Sequence, residues 1–160
     1  MKFCRFGQRG QEKPGIVDTD GRIRDLSGVV PELTIEALAA AKGADIASLP
    51  GVEGEPRYGV PVKGIGKIVA IGLNYRSHLG DKEPPKVPEP FLKASTSLIG
   101  PGDTIVIPRE AIDQGVKMQP EAELAVVIGK TCKRATRQDA LSYVLGYTCG
   151  NDVSARDWQR

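Results

Sequence analysis

Short apolar stretches, separated by segments rich in glycine and proline, limit how this chain can fold. The most apolar run, IVAIGL at residues 68–73, is far too short to span a membrane. Residues 49–61 contain three prolines and three glycines, and residues 82–90 contain four prolines. These glycines and prolines break the chain into short segments, which favours many short strands and few helices. The sequence therefore predicts an α+β fold that is mostly β.

The charge balance and the composition exclude several classes of protein. The 160 residues carry a net charge of +2, which is too small an excess to indicate a nucleic-acid or anionic-membrane surface. A hydrophobic fraction of 40% with 26% charged residues is typical of a globular protein with a core. The N-terminus lacks the long apolar segment of a secretory signal, so we expect a cytoplasmic protein that binds neither nucleic acid nor membrane.

Cysteine and histidine are scarce, which restricts the chemistry available. Cys4, Cys132 and Cys149 form no closely spaced pair, so we expect buried reduced thiols and neither a disulfide framework nor a zinc site. His78 is the single histidine, and any imidazole chemistry must use it.

The chain divides at the segment 49–61. Before it, Asp20-Gly21 predicts a hairpin turn between two short strands, and residues 34–42 predict a helix. After it, we expect strands at residues 67–73, 104–107, 121–128 and 147–152, and a helix that opens with a capping box at residues 136–139. We place a small N-terminal module and linker at residues 1–61 and a second domain at residues 62–160.

Two glutamates on one predicted strand indicate a cation site. Side chains alternate along a strand, so Glu121 and Glu123 face the same side, roughly 6–7 Å apart, while Leu124 and Val126 face the other side as core. Paired carboxylates repel each other unless a cation lies between them, and such oxygen ligands suit Mg²⁺, Mn²⁺ or Ca²⁺. The spacing alone favours two ordinary acids at a solvated strand end.

Two further polar residues follow predicted strands. Asp152 ends a strand with glycines close upstream, where a carboxylate projects into a cleft or caps a helix. His78 follows the exit of the strand at 67–73 and precedes the proline-rich segment 82–90, which favours a functional role over that of a surface residue.

Four ordered motifs across residues 65–160 resemble those of the fumarylacetoacetate hydrolase family. They are Gly-Leu-Asn-Tyr-x-x-His at 72–78, Phe-Leu-Lys at 91–93, Glu-x-Glu-Leu-Ala-Val-Val-Ile-Gly at 121–129 and Asn-Asp-Val-Ser-Ala-Arg-Asp at 151–157. The segments 10–15 and 21–27 resemble the small module that precedes the catalytic domain in bacterial members, among them diketo-sugar-acid hydrolases and proteins labelled ureidoglycolate lyase. The resemblance implies a β-rich module followed by the N-terminal part of a mixed-β-sheet catalytic domain.

The resemblance also implies a set of site residues. One divalent cation, Mg²⁺ with Mn²⁺ or Ca²⁺ as alternatives, would be held by Glu121, Glu123 and Asp152. His78 would be the base that activates water and would lie near the cation without binding it. The remaining residues implied are Asp81 as the acid that pairs with the histidine, and Lys93 and Gln159 as substrate-binding residues.

Three features depart from the family pattern. Asp81 stands where members often carry a glutamate, and Gln119-Pro120 stands where they often carry an aspartate and an aromatic residue. The family's catalytic domain also continues beyond the Ser-Ala-Arg-Asp motif, whereas this sequence ends at Arg160, so we expect a fragment or a truncated member.

The reaction implied is hydrolysis of a carbon–carbon bond in a 2,4-diketo acid or acylpyruvate, through an enolate that the cation stabilises. The same ligands serve an isomerase, a decarboxylase or a lyase that acts on a related keto acid, and an inactive truncated member is a further alternative. We expect a keto acid as the small-molecule substrate and a homodimer as the assembly. We also expect residues 82–90 to form a lid whose ordering brings His78 and Asp81 together.

Overall fold

A computed structural model describes residues 1–159, which form two compact units, Met1–Gly102 and Asp103–Arg160. The chain is built mainly from short strands, which confirms the predicted α+β class. The strands are β1 (Lys2–Phe6), β2 (Lys13–Val17), β3 (Ile23–Asp25), β4 (Ile68–Gly72), β5 (Glu89–Lys93), β6 (Met118–Gln119), β7 (Ala122–Ile128), β8 (Val144–Asn151) and β9 (Ser154–Ala155). The helices are α1 (Ile35–Ala41), α2 (Arg76–Leu79) and α3 (Arg109–Asp113), with 3₁₀ turns at Ile46–Ser48, Ser95–Ser97, Ala140–Tyr143 and Arg156–Trp158.

The first unit is organised around the three-stranded antiparallel sheet β1-β2-β3. The predicted Asp20-Gly21 turn joins β2 to β3: Gly21 has a φ of 81°, and the Asp18 carboxylate accepts the amides of Asp20 and Arg22. The predicted helix forms as α1, with the Thr34 hydroxyl accepting the amide of Ala37 as its N-cap. The fully buried side chains include Ile16, Leu26 and Leu33.

Residues 62–102 belong to the same compact unit as the N-terminal module. Gly100 lies so close to Tyr58 and Gly59 that a side chain on Gly100 would collide with the Tyr58 carbonyl oxygen. The Lys63 amide donates to the Leu33 carbonyl at 2.8 Å. The domain boundary at residue 61 stays a prediction from composition, whereas the spatial division falls after Gly102.

A buried ion-pair network ties this unit together. Arg5 is 6% exposed, and its guanidinium bonds both carboxylate oxygens of Glu32, at 2.6 and 3.0 Å, and one of Glu12 at 3.4 Å. Burial acts to raise the pKa of Glu32, but hydrogen bonds from Arg5 and other donors outweigh it and hold that pKa below its ordinary value. The network joins β1 to the chain around residue 32, which is remote in sequence.

Replacing Arg5 with alanine is expected to destabilise the protein by about 3 kcal/mol, because it removes both guanidinium hydrogen bonds to the poorly solvated Glu32 and leaves Glu12 with Arg57 as its guanidinium partner. The measurement is the free energy of unfolding of the full chain, determined by denaturation in urea. The matched control is Lys13→Ala, because Lys13 pairs with Asp25 at 3.8 Å through a side chain that is 63% exposed, and we expect less than about 1 kcal/mol there. Equal losses for the two variants would contradict a structural role of the buried network.

The second unit contains two antiparallel pairs, β6-β9 and β7-β8. The strand predicted at 104–107 is wrong, because these residues join none of the ladders found among the described residues. The helix predicted from 136–139 is also wrong. The Thr136 hydroxyl and Asp139 do bond to each other, but only a 3₁₀ turn follows, because the chain enters β8 at Val144 and pairs with β7.

The expectation of buried thiols holds only for Cys4, whose burial raises its pKa to about 11. Cys132 and Cys149 are exposed, which corrects that expectation for both. Cys149 lies on β8 opposite Leu124, on a face that the sequence analysis assigned to the core.

Candidate active site

The β7-β8 ladder places the three predicted metal ligands on one face. The register pairs Ala122 with Asn151 and Glu123 with Gly150, and the Asp152 amide donates to the Glu121 carbonyl at 2.9 Å. Glu121 and Asp152 are therefore opposite each other at the end of the ladder. Because residues opposite each other share a face and side chains alternate along a strand, all three carboxylates project to the same side.

Glycine lies opposite Glu123 in the ladder. Gly150 has no side chain, and the nearest atoms to a Cβ built there belong to Glu123, at 3.9 Å. Glu121, Glu123 and Asp152 are each half-buried. The face is therefore partly shielded from solvent yet not filled by side chains from β8 at this position.

Arg156 is a residue of this site that the sequence analysis did not assign. Its guanidinium donates to the carboxylate of Glu121, to the carboxamide oxygen of Gln119 at 3.0 Å and to that of Gln159. Its own amide donates to the Lys117 carbonyl at 3.0 Å. A signal was present in the sequence, since Arg156 stands in the quoted Asn-Asp-Val-Ser-Ala-Arg-Asp motif.

The donor set of this face suits a hard divalent cation, because all three side chains offer carboxylate oxygens. The side chains do not stand gathered around one point: within residues 1–159 no three His, Cys, Asp or Glu side chains form a group that could hold a metal ion. Glu121 is engaged by Arg156 instead. The backbone register thus suits the proposed ligand set. To bind a cation, the three carboxylate side chains would have to rotate toward one point, and Glu121 would have to release Arg156 or bind Arg156 and the cation together.

The opposite face of β7 corrects a prediction. Leu124, Val126 and Ile128 are 60%, 46% and 47% exposed, although the alternation assigned them to the core. Tyr147, which pairs with Val126 across the ladder, is also 60% exposed. The half-buried face is the one that carries Glu121 and Glu123, so the alternation was correct and the assignment of its buried side was wrong.

The segment that carries His78 has an unusual backbone. Leu73, directly after β4, has a φ of 52°, a conformation that costs a bulky residue energy and that clusters at functional sites. The short helix α2 follows, where the His78 amide donates to the Tyr75 carbonyl at 3.0 Å. His78 and Asp81 are both exposed. The irregular strand exit is confirmed, and the pairing of His78 with Asp81 stays a prediction.

The proline-rich segment is less irregular than predicted at its end. Glu89 and Pro90 belong to β5, where they pair with Gly72 and Ile71 of β4. Lys93 ends the same strand opposite Ile68 and is half-buried. The lid function of residues 82–90 stays a prediction.

The candidate residues fall in both compact units. His78, Asp81 and Lys93 lie in Met1–Gly102, and the three carboxylates with Arg156 and Gln159 lie in Asp103–Arg160. Within the second unit, hydrogen bonds join Glu121 to Arg156 and to the Asp152 backbone, and Arg156 to Gln159.

Comparison with known proteins gives the family. Residues 67–160 match the model described as fumarylacetoacetate (FAA) hydrolase C-terminal, which is more than half of the chain. The chain belongs to the fumarylacetoacetate hydrolase family.

A curated relative is the 2,4-didehydro-3-deoxy-L-rhamnonate hydrolase of Sphingomonas sp. (strain SKA58). It is 66% identical over 158 residues, which cover 98% of this chain and 54% of the relative. The chain thus spans about half the length of this relative.

Solved structures of similar proteins include hydrolases and an isomerase. A fumarylacetoacetate hydrolase from Exiguobacterium antarcticum superposes with a TM-score of 0.78 at 30% identity, over 99% of this chain and 58% of that one. Maleylpyruvate hydrolase from Sphingobium sp. SYK-6, in complex with manganese(II) and pyruvate, gives 0.76 at 28% identity, over 96% and 58%. The 5-carboxymethyl-2-hydroxymuconate delta-isomerase from Mycobacterium smegmatis gives 0.68 at 28% identity, over 100% and 58%.

Proposed function

We propose that the protein hydrolyses the bond between C3 and C4 of a 2,4-dioxo acid, using Mg²⁺ or a similar divalent cation. The observation that carries the proposal is the single ladder face that bears Glu121, Glu123 and Asp152 next to the guanidinium of Arg156. Carboxylates supply ligands for the cation, and a guanidinium supplies a partner for the carboxylate or oxyanion of the substrate.

The cation, held by the three carboxylates, would supply a Lewis acid for the oxygens of the 2-oxo acid. His78 would take a proton from water as its oxygen attacks the C4 carbonyl. The C3–C4 bond then breaks, its electron pair moves to C3 as the enolate of pyruvate, and a proton returned to C3 completes pyruvate. The other product is the carboxylic acid formed from C4.

Gln159 and Arg156 have complementary roles in this scheme. The carboxamide oxygen of Gln159 accepts from Arg156, so the amide N–H₂ is the group that can donate to a developing oxyanion. Lys93, at the end of β5, would provide a positive charge for the substrate carboxylate. Both assignments of substrate contacts are part of the proposal.

The names of two similar proteins support this substrate class. A 2,4-didehydro-3-deoxy sugar acid, the substrate class in the name of the Sphingomonas relative, has oxidised C2 and C4 on either side of a deoxygenated C3. The Sphingobium structure contains manganese(II) together with pyruvate, which is the three-carbon product that our scheme releases. We therefore propose acylpyruvates and 2,4-dioxo-3-deoxy sugar acids as substrates.

An isomerase is the second candidate, favoured by the similarity to the Mycobacterium smegmatis enzyme. Removal of a proton from C3 of the intact 2,4-dioxo acid, and its return to the oxygen of the resulting enolate, would convert the keto form into the enol form without consuming water. Product analysis distinguishes the two reactions, because only hydrolysis releases pyruvate.

Metal removal tests the proposal. The full chain is incubated with acetylpyruvate and with a 2,4-dioxo-3-deoxy sugar acid, and pyruvate is measured by coupled oxidation of NADH. We expect release with Mg²⁺ or Mn²⁺, loss with EDTA and recovery when the cation is added back. Reaction in H₂¹⁸O should place one heavy oxygen in the new carboxylate. Conversion of the substrate without pyruvate would replace the hydrolase by the isomerase.

Two further expectations belong to the proposal. We propose a cytoplasmic role in keto acid catabolism and a homodimeric assembly, which light scattering after size-exclusion chromatography measures directly. Among the described residues, no helix has the length and apolarity needed to cross a lipid bilayer.

A further inference from the structure

The last rung of the β7-β8 ladder, formed by Glu121 and Asp152 directly beyond the ends of the two strands, is built differently from a regular antiparallel rung. In an antiparallel ladder every second pair of opposite residues exchanges two backbone hydrogen bonds, and the bond from Asp152 to Glu121 marks this pair as one of them. Here the Asp152 amide donates to the Glu121 carbonyl at 2.9 Å, but the Glu121 amide donates to the side-chain oxygen of Asn151 at 3.1 Å. The carboxamide of Asn151 thus replaces the backbone carbonyl that would complete the rung.

The carbonyl that Asn151 replaces is turned to another partner. The Ser154 hydroxyl donates to the Asp152 carbonyl at 3.4 Å, and Ser154 itself pairs with Gln119 in the β6-β9 ladder. The chain therefore leaves β8 directly after Asp152 in order to form β9. Without Asn151, the Glu121 amide would lose its protein partner at this point.

We propose that Asn151 is a positioning residue that fixes the backbone of Glu121 opposite Asp152 and so sets the separation of two metal-ligating carboxylates. This inference rests on the proposed metal site and adds a residue to it. The Glu121 backbone is held from both sides, by the amide of Asp152 and by the side chain of Asn151. Mutation of a residue that orients metal ligands typically lowers metal affinity by about 10- to 100-fold.

The chemistry of asparagine at this position makes a sharp test available. Only the side-chain oxygen of Asn151 is used in the bond, so Asn151→Asp keeps an acceptor of the same reach and Asn151→Ala removes it. Cys149→Ala is a matched control, because Cys149 lies two residues earlier on β8 and is exposed like Asn151. Asn151 is at a strand end and exposed, so all three variants should fold.

The experiment measures two quantities on the ¹⁵N-labelled full chain. The first is hydrogen exchange of the Glu121 amide, with the Ala125 amide in the middle of β7 as an internal reference. We expect Asn151→Ala to accelerate exchange at Glu121 by about 3- to 10-fold, the effect of losing one ordinary hydrogen bond, and to leave Ala125 unchanged. Asn151→Asp and Cys149→Ala should exchange like the wild type at both positions.

The second quantity is the affinity for Mn²⁺ alone, measured from the electron paramagnetic resonance signal of the free ion. We expect Asn151→Ala to weaken binding by about 10-fold or more, while Asn151→Asp retains or exceeds wild-type affinity and Cys149→Ala matches it. Unchanged exchange at Glu121 in Asn151→Ala would show that the Asn151 side chain does not hold the Glu121 amide. Faster exchange with unchanged Mn²⁺ affinity would overturn the positioning role.

The proposed function fails separately. If the wild-type chain binds no Mn²⁺, the metal site is wrong and the effect on affinity is wrong with it. The exchange measurement needs no metal, and it would still decide whether Asn151 closes the last rung of the ladder.

Discussion

Replacing Glu123 with glutamine is expected to reduce the rate of pyruvate release from a 2,4-dioxo acid by about 10³-fold. Loss of a cation ligand removes several kcal/mol of transition-state stabilisation, and each 1.4 kcal/mol corresponds to a tenfold change in rate. Glutamine has nearly the same size, so β7 and its pairing with β8 should be preserved. Glu123 gives a cleaner test than Glu121, whose carboxylate also holds Arg156. The measurements are kcat/KM at saturating Mg²⁺ and the affinity for Mn²⁺.

Glu110→Gln is the matched control for this variant. Glu110 is an exposed glutamate on α3 of the same unit, so its replacement removes the same charge from a residue that belongs to neither β7 nor β8. We expect its kcat/KM to stay within about twofold, as for surface substitutions in general. If Glu123→Gln kept both wild-type turnover and wild-type Mn²⁺ affinity, the carboxylate face of β7 would not be the metal site.

Features that depend on neighbouring residues could be predicted from the sequence. The Asp20-Gly21 turn and the helix predicted over residues 34–42 are formed as expected, because turn preferences and helix propensities are set within a few residues. The alternation of Glu121 and Glu123 along β7 is likewise a local property of a strand. The motifs that resemble the fumarylacetoacetate hydrolase family agree with the match over residues 67–160.

Features that depend on long-range pairing could not be predicted in this way. Alternation separates two faces of a strand but does not say which one is covered, and the apolar face with Leu124 and Val126 is the exposed one. The residues before β8 favour a helix locally, yet the pairing of β8 with β7 ends that helix after one 3₁₀ turn. The pairing of Glu121 with Arg156 likewise requires the turn after Asp152, which no local pattern specifies.

The positive φ of Leu73 is another feature that composition does not reveal. Glycine or asparagine would be the usual residue in that conformation, and a leucine there costs energy. The strain therefore draws attention to the strand exit that leads into His78. Backbone strain of this kind concentrates at functional sites, which supports a functional role for the segment that carries His78.

Replacing His78 with alanine is expected to lower turnover by about 10²- to 10⁴-fold, the usual contribution of a general base, while Mn²⁺ affinity stays within about twofold. The imidazole is expected to move a proton and not to bind the cation, because three carboxylates already supply the ligands. The measurements are kcat for pyruvate release and the affinity for Mn²⁺.

Ser77→Ala controls for damage to the helix α2, since Ser77 precedes His78 in the same turn and is exposed.

Asp81→Asn tests the acid partner of His78. If Asp81 orients the imidazole, Asp81→Asn should reduce kcat by about 10-fold or more, in line with the loss of a residue that orients a catalytic group. Asp81→Glu should retain more activity than Asp81→Asn. Loss of Mn²⁺ binding in His78→Ala, with its residual turnover unchanged, would reverse the roles and make the histidine a ligand. Two results together would contradict both the acid partner and the lid. They are equal activity of the wild type and Asp81→Asn, and hydrogen exchange of residues 82–90 that is the same with and without a keto acid.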